Sequence, residues 1–546
     1  MKIDNRTPHE IISKPTEVPK FIISLSVVFT LIYFTWWLDF NNAGNILLYS
    51  LLFIGEVYHV LLALGYAYTI WDQKKPRLAK LKEFPKVAIM IVGSIEPPEV
   101  VENILKAATE LDYPNYEVYF LNDGYVFEKT KKIKTPWQEN NEVAKKYGVT
   151  AVTRQEPGGA KSGNVNNALN LVDAPFIALF DTDHVPRADF LTKTMGFFKD
   201  EKVAFVQTPQ YYQNKDNSFL TTAAWEQQEL FFGPICRGKV RMNATFCCGT
   251  NFVARKSAVE EVGGFPEDNI AEDFIMSYYL HSNGWKSIYW PEVLAEGMAP
   301  HNLQDYAKQQ YRWARGSLEI ILKHNPLLNR KLTWGQKVQY LYSSGYWLNG
   351  IVILIDALIP VIALSTGLMP VNQNSTNFMI YFFPFMFSTL YLLMMSTHNT
   401  ITFRAIQMSM SSFYIMIKAV VAVLFNKKDS FDVTPKDAQE GNFLKLAIPH
   451  ITYITVGVIA IGIGIAREGL IPSVVTNIAW IIFNSIFFFG FIRAGYNWNK
   501  LLNPVYSYSK SKFLFRVKEK HATQKESNKA LIFASNEETT GELEIE

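Results

Sequence analysis

The sequence predicts an α/β domain inserted into a bundle of membrane-spanning helices. Two observations carry this. Apolar stretches long enough to cross a bilayer flank a central region on both sides, and inside that region short apolar runs alternate with amphipathic ones. At 546 residues the chain is too long for one ordinary core. Hydrophobic residues make up 49% and charged residues 19%, an average that conceals very apolar and distinctly polar stretches.

Six candidate spans lie near Phe21–Leu38, Ile46–Ile70, Tyr346–Leu368, Asn377–Met395, Ala447–Ile465 and Ile471–Ile492. The first follows a polar leader and precedes no small-residue cleavage site, so it reads as an anchor rather than a signal peptide. The connections DFNNAGN and MPVNQNSTN carry no lysine or arginine, whereas DQKKPRLAKLK, FNKKDSFDVTPK and SKSKFLFRVKEK are rich in them. Positive-inside bias predicts that the central region and both termini face the cytoplasm from a multi-pass protein of the plasma membrane. The divisions expected are a leader with two spans over 1–71 and the α/β domain with an interfacial helix over 72–332. Two spans follow over 333–396, an interfacial helix with a loop over 397–445, two spans over 446–494, and a partly disordered tail over 495–546. A net charge of +3 without a basic stripe excludes nucleic acid as a partner. Three cysteines without CxxC spacing exclude a zinc knuckle or a disulfide framework.

Within the central region KVAIMIVG, YEVYFLND, GVTAVTR, FIALFD and VAFVQT read as strands. PPEVVENILKAATEL, NNEVAKKYG and SGNVNNALNLV read as helices between them. Such alternation predicts a mostly parallel sheet with its ligand site outside the strands' carboxyl ends. Ser94, Glu96, Asp123, Asp181 and Asp183 fall there. In FIALFDTDHVP, Asp181 and Asp183 are two apart, so in a strand both point to one side. With His184 they suit a hard divalent cation that carries phosphate. An acidic turn is the plainer alternative. Glu272 and Asp273 open a helix in NIAEDFIMSYYL, where helix capping and dipole matching are the plain reading of acidic residues. Gln309, Arg312 and Trp313 share one face of QQYRWARGSLEIIL, a segment that also suits an interfacial helix ahead of a span.

In order along the chain, LNDG, AKSGNVNNALN, FDTDHVP, QTPQYY, FCCGTNFVARKSAVEEVGGF, AEDF, GWKSIYWPE and QQYRW resemble the motifs of family 2 glycosyltransferases. The resemblance is specifically to the processive cellulose synthases, and the loop SFDVTPKD resembles their FxVTxK gating loop. It implies a GT-A fold and a set of roles. Asp123 and Asp181 would hold uridine, Glu96 is kept as a substrate-binding residue, and Lys161 would add charge beside the nucleotide. Asp183 with His184 would bind Mg²⁺ or Mn²⁺. Asp273, next to Glu272, would be the catalytic base. Trp313 would be the platform under the acceptor sugar, with Gln309 and Arg312 on the donor and Phe431, Thr434 and Lys436 closing over the nucleotide. The chain departs from the family at GSIEPP, where Ser94 offers no ring, and at LNDG, which leaves Asp123 alone. Its tail of roughly fifty residues is shorter than the hundred or so that a PilZ domain needs.

The chemistry requires such residues. An acceptor hydroxyl is a poor nucleophile until a carboxylate takes its proton. The departing diphosphate carries concentrated charge that cations must stabilise. The expected activity is a processive, inverting transfer from UDP-glucose to a growing β-glucan that the protein passes across the bilayer, with an accessory export subunit as a candidate partner. The alternatives are a synthase of an N-acetylglucosamine polymer of the chitin or hyaluronan kind, a non-processive transferase to a lipid phosphate, and a transporter or receptor with an inactive insert. FCCGT reads either as a packed strand or as an acceptor-side wall, and the FDVTPK loop either as a gate or as a basic connector.

Overall fold

The run Val87–Gly93 becomes β1, near the middle of a seven-stranded sheet, in a computed structural model that describes residues 17–73, 75–372, 375–427 and 442–496. The other strands are β2 (Tyr116–Asn122), β3 (Thr150–Val152), β4 (Phe176–Asp181), β5 (Val185–Pro186), β6 (Val203–Gln207), β7 (Tyr211–Tyr212), β8 (Phe252–Arg255), β9 (Lys286–Tyr289) and β10 (Ala295–Gly297). The order is β3-β2-β1-β4-β8-β6-β9. β1 pairs parallel with β2 on one side and with β4 on the other, so the strand order reverses at β1. Ligand sites of open α/β sheets form at such a reversal, beyond the carboxyl ends.

Both faces of the central strands are covered, which is why these strands are uninterrupted apolar runs. Val87, Ile89 and Ile91 pack into one core and Ala88 and Met90 into the other, as a period of two demands. The helix Pro98–Thr109 begins on a proline, whose missing N–H costs nothing at that position. It buries Val101, Ile104, Leu105 and Ala108, one stripe at helical spacing, in the first core. The helix Ala160–Leu169 covers the opposite face with Val165, Ala168 and Leu169.

The sheet is mixed rather than only parallel. β8 runs antiparallel between β4 and β6, and β9 joins β6 in parallel. Neither β8 nor β9 stands out in the sequence, because each has only four residues. FCCGT forms no strand: it is an irregular approach to β8 that buries Cys247. A second sheet, in the order β5-β10-β7, sits beside the carboxyl end of β4.

Six helices among the described residues are long and apolar enough to span a membrane: Lys20–Leu38, Ile46–Ile70, Trp334–Thr366, Thr376–Ser396, Leu444–Glu468 and Pro472–Gly495. They match the six expected stretches. The third is longer than expected because the helix Trp334–Gly345 runs into it, burying Gln336 and Gln339. The amphipathic stretch that follows the fourth span is not one interfacial helix. Phe403–Ser411 and Phe413–Leu424 meet at a 40° bend. At the break the Ser412 hydroxyl donates to the Met408 carbonyl at 2.8 Å, a back-bond that bends helices. Glu226, on the domain helix Phe219–Leu230, joins the two regions. Its buried carboxylate accepts from the Thr402 hydroxyl at 2.7 Å and from the Thr402 and Ala405 N–H groups at 3.2 Å, satisfying the exposed start of the bent helix.

Candidate active site

β4 ends at Asp181, and the chain then turns back on itself. The turn is closed by the His184 N–H donating to the Asp181 carbonyl at 2.9 Å. The turn, not strand alternation, therefore brings Asp181, Asp183 and His184 together. One donor atom from each lies within 4.8 Å of the others. Asp183 and His184 are buried, with His184 Nδ1 at 3.3 Å from Asp183 Oδ1. His184 Nε2 is buried without a hydrogen-bond partner. Two hard carboxylate oxygens and one imidazole nitrogen fit a divalent cation such as Mg²⁺ or Mn²⁺. Gly297 of β10 lies against that ring, and a Cβ there would overlap it.

Lys161, on the first turn of the helix Ala160–Leu169, donates from Nζ to Asp181 Oδ1 at 2.5 Å and to the Gly249 carbonyl at 2.7 Å. Burial alone would pull its pKa down, but Asp181, Glu272 and Asp273 outweigh it and hold the ammonium above its ordinary value. Lys161 thus places a fixed positive charge between the cation cluster and the acidic pair.

Glu272 and Asp273 form the first turn of the helix Glu272–Ser282. Capping does not explain them, since the N-cap position is Ala271. Asp273 Oδ1 accepts from the Phe274 N–H at 2.8 Å, and Oδ2 lies close to Gly249. Burial, then repulsion from Glu272, pushes the Asp273 carboxyl up to about 7, against the pull of that N–H and of Lys161. Glu272 is raised too, chiefly by burial. A carboxyl tuned towards neutral pH is suited to take and give a proton.

Asp123 follows β2 and makes no capping bond. It is held by Arg154, whose Nε and Nη2 meet its two oxygens at 2.6 and 2.7 Å. Arg154 also donates to the Gly158 and Ala160 carbonyls, which ties the loop before Lys161 to the same point. Burial raises the Asp123 carboxyl above its ordinary value despite the arginine. Arg154 is the main residue missed in the sequence. Its signal was its place at the carboxyl end of the strand GVTAVTR, the edge where the other polar groups collect. Glu96 is buried, and its Oε2 accepts from the Ser94 N–H at 2.6 Å, shaping the loop after β1.

Gln309, Arg312 and Trp313 lie on one face of the helix Leu303–Glu319, as spaced. Gln309 reaches the hydroxyl of Tyr212 on β7. Trp313 packs near Trp347 and Met416, at the membrane side of the site. One cavity of about 1050 Å³ is lined by all eleven of the described candidates: Glu96, Asp123, Lys161, Asp181, Asp183, His184, Glu272, Asp273, Gln309, Arg312 and Trp313. Its size suits a nucleotide sugar with part of an acceptor. Phe431, Thr434 and Lys436 lie outside the described residues.

Residues 85–316 match the family described as glycosyltransferase like family 2, and residues 256–500 match the cellulose synthase family. The cellulose synthase catalytic subunit of Pseudomonas fluorescens is 28% identical over 85% of this chain and 65% of its own length. That of Xanthomonas axonopodis is 28% identical over 83% of this chain and 64% of its own length. A putative cellulose synthase of Komagataeibacter xylinus is 29% identical over 76% of this chain and 28% of its own length. The chain thus spans less than two thirds of each of these relatives. Among solved structures, a mannosyltransferase from Pyrobaculum calidifontis in complex with GDP-Man and Mn²⁺ superposes with a TM-score of 0.50 at 17% identity, over 70% of this chain and all of its own. That likeness establishes the GT-A-like fold.

Proposed function

From a chain that is a cellulose synthase-like family 2 glycosyltransferase with candidate membrane spans on both sides of its catalytic domain, we propose a processive, inverting synthase. It transfers glucose from UDP-glucose to the end of a growing β-glucan and passes the product across the membrane. The observation that carries this reading is one continuous cavity at the sheet's reversal point. It joins the cation cluster, the acidic pair and the Trp313 face.

Asp123, paired with Arg154, and Glu96 line the part of the cavity assigned to the nucleoside. Asp183 and His184 are assigned to a divalent cation, Mg²⁺ or Mn²⁺, which when bound would neutralise the diphosphate. Asp181, expected at the uridine, is assigned to the same cation because its carboxylate lies in their cluster. Lys161 adds fixed charge there, and Arg312 with Gln309 faces the donor. Trp313 presents a flat indole to the acceptor sugar and positions its hydroxyl for attack. Asp273 takes the proton of that hydroxyl as its oxygen bonds to the anomeric carbon. The bond from that carbon to the phosphate oxygen breaks, its electron pair leaves with UDP, and the α-linked donor becomes a β-linked product. The gating role of Phe431, Thr434 and Lys436 belongs to the same proposal and rests on motif resemblance alone. A cytoplasmic catalytic domain, supported by the lysine and arginine distribution, would meet UDP-glucose where it is made.

A donor panel tests the reading. Purified protein in lipid bilayers should release nucleotide fastest from UDP-glucose, more slowly from UDP-N-acetylglucosamine, and not measurably from GDP-mannose. Preference for either of the last two would overturn the assignment of donor.

A further inference from the structure

Residues 320–337 follow the helix that carries Gln309, Arg312 and Trp313 and lead into the third span. Their sequence, IILKHNPLLNRKLTWGQK, holds four lysines and arginines and no acidic residue. Its large apolar side chains are not tucked away: Leu328 is 77% and Trp334 69% exposed, with Leu322 and Leu327 near half. Exposed apolar groups beside charge of one sign mark an interaction surface rather than a water-facing loop.

Neighbouring contacts fix the depth of this stretch. Gln339 Nε2 donates to the Thr69 hydroxyl at 2.8 Å, and Gly65 backs onto the Tyr342 ring. The helix Trp334–Gly345 therefore lies alongside the end of the second span, which closes at Ile70. Trp334 is five residues beyond Gln339, about 7.5 Å along the axis. The headgroup layer extends roughly 5–8 Å beyond each side of the hydrocarbon core. With the end of the second span at Ile70 taken as the edge of the hydrocarbon, Trp334, the first residue of the long third helix, and the residues before it fall at headgroup depth, on the side that bears the α/β domain. Other pairs mark the same level: Lys20 lies 5.6 Å from the Trp71 ring and Arg241 4.8 Å from the Tyr68 ring. Cations and aromatics at one depth form an interfacial belt.

Two of the four charges in the stretch are engaged locally. Lys323 pairs with Glu319 at 3.4 Å, and Lys337 donates to the Leu327 carbonyl at 3.0 Å. Arg330 and Lys331 are exposed and meet no carboxylate among the described residues. We propose that residues 320–337 are a seat for anionic phospholipid headgroups. Leu328 and Trp334 enter the boundary between headgroups and acyl chains, and Arg330 and Lys331 pair with the lipid phosphates. A zwitterionic lipid satisfies the apolar part but leaves the net charge unmatched, so the seat selects anionic lipid. Because it continues directly from the helix Leu303–Glu319, it also holds the Trp313 face of the cavity at a set height above the bilayer. The inference rests on the membrane topology and not on the identity of the donor.

The test is lipid retention by the full chain. Protein is placed in nanodiscs of phosphatidylcholine and phosphatidylglycerol at four to one, re-extracted in mild detergent, and its retained lipids are counted by mass spectrometry. Wild type should retain phosphatidylglycerol above its bulk share, and the enrichment should collapse in about 0.5 M salt. Arg330→Gln with Lys331→Gln should return the retained phosphatidylglycerol to its bulk share, each charge being worth about fivefold in relative affinity for anionic over zwitterionic lipid. Lys199→Gln with Lys202→Gln, an equal charge loss elsewhere on the domain, should leave it unchanged. Wild-type enrichment in the Arg330 and Lys331 double variant, an equal fall in the control pair, or no salt-sensitive enrichment in wild type would each overturn the proposal. The wild-type salt series needs no variant to fold.

Discussion

Replacing Asp273 by Asn separates a catalytic base from every other role this helix start could have. Asn keeps the shape and caps helices about as well as Asp, but it cannot accept the acceptor's proton. General bases contribute about 10²–10⁴-fold, so nucleotide release should slow by that range while donor affinity stays within a few fold. The same geometry sets the sign of the stability change. Asp273 is raised to about 7 by burial and by Glu272, so the folded state binds more protons than the unfolded one between the ordinary Asp range and that value. Stability is therefore lost as pH rises through this window. A tenfold difference in proton affinity between the two states corresponds to about 1.4 kcal/mol. Partial exposure and the shared charge of Glu272 and Lys161 reduce what removal returns to on the order of 1–2 kcal/mol at pH 8. The variant should be nearly inert yet unfold at a higher temperature than wild type at pH 8, with little difference at pH 5. Its kcat/KM should also lack the acid limb that wild type shows as pH falls through about 7. Donor binding by titration calorimetry, nucleotide release and thermal unfolding at two pH values measure all of this. Activity within a few fold of wild type, or a lower unfolding temperature at pH 8, would show that Asp273 is structural.

The other expectations concern neighbouring groups. Asp183→Ala removes a hard oxygen from the cluster with His184 and should abolish metal-dependent UDP binding, read by calorimetry with and without Mn²⁺. Gly297→Ala forces a methyl against the His184 ring and should weaken Mn²⁺ binding by about tenfold, measured by spin resonance, with the fold retained. Arg154→Met leaves Asp123 buried without its partner and loosens the loop before Lys161, so KM for the donor should rise more than kcat falls. Trp313→Ala should leave donor binding intact and shorten the polymer, seen by size analysis of the product, because the chain end loses its platform.

What the sequence made legible follows from how strongly each pattern is physically constrained. β1 and β4 are buried on both faces, so they had to be continuous apolar runs, and the six spans had to be long and apolar. Gln309, Arg312 and Trp313 were readable because helical spacing alone puts them on one face. β8 escaped because a four-residue strand whose neighbours are set by tertiary pairing has no period of its own. Strand alternation was the wrong reason for the meeting of Asp181 and Asp183, since a turn bond that no side-chain pattern announces makes it. Arg154 was missed for a related reason: its partner Asp123 is 31 residues away, and only the parallel pairing of β2 with β3 brings them together. Ser412, an ordinary residue in a helical stretch, turned one expected interfacial helix into a bent pair.

Everything proposed for this cavity comes down to one reaction, a β-linked glucan built from an α-linked nucleotide sugar with a divalent cation. Purified full-length protein in bilayers, given ¹³C-labelled UDP-glucose and Mg²⁺ or Mn²⁺, tests it directly when the product is read by NMR at the anomeric carbon. The expected result is UDP and a polymer with only β anomeric signals, digestible by a β-glucanase and absent when the cation is chelated. An α-linked product, free glucose without polymer, or undiminished synthesis in chelator would contradict it.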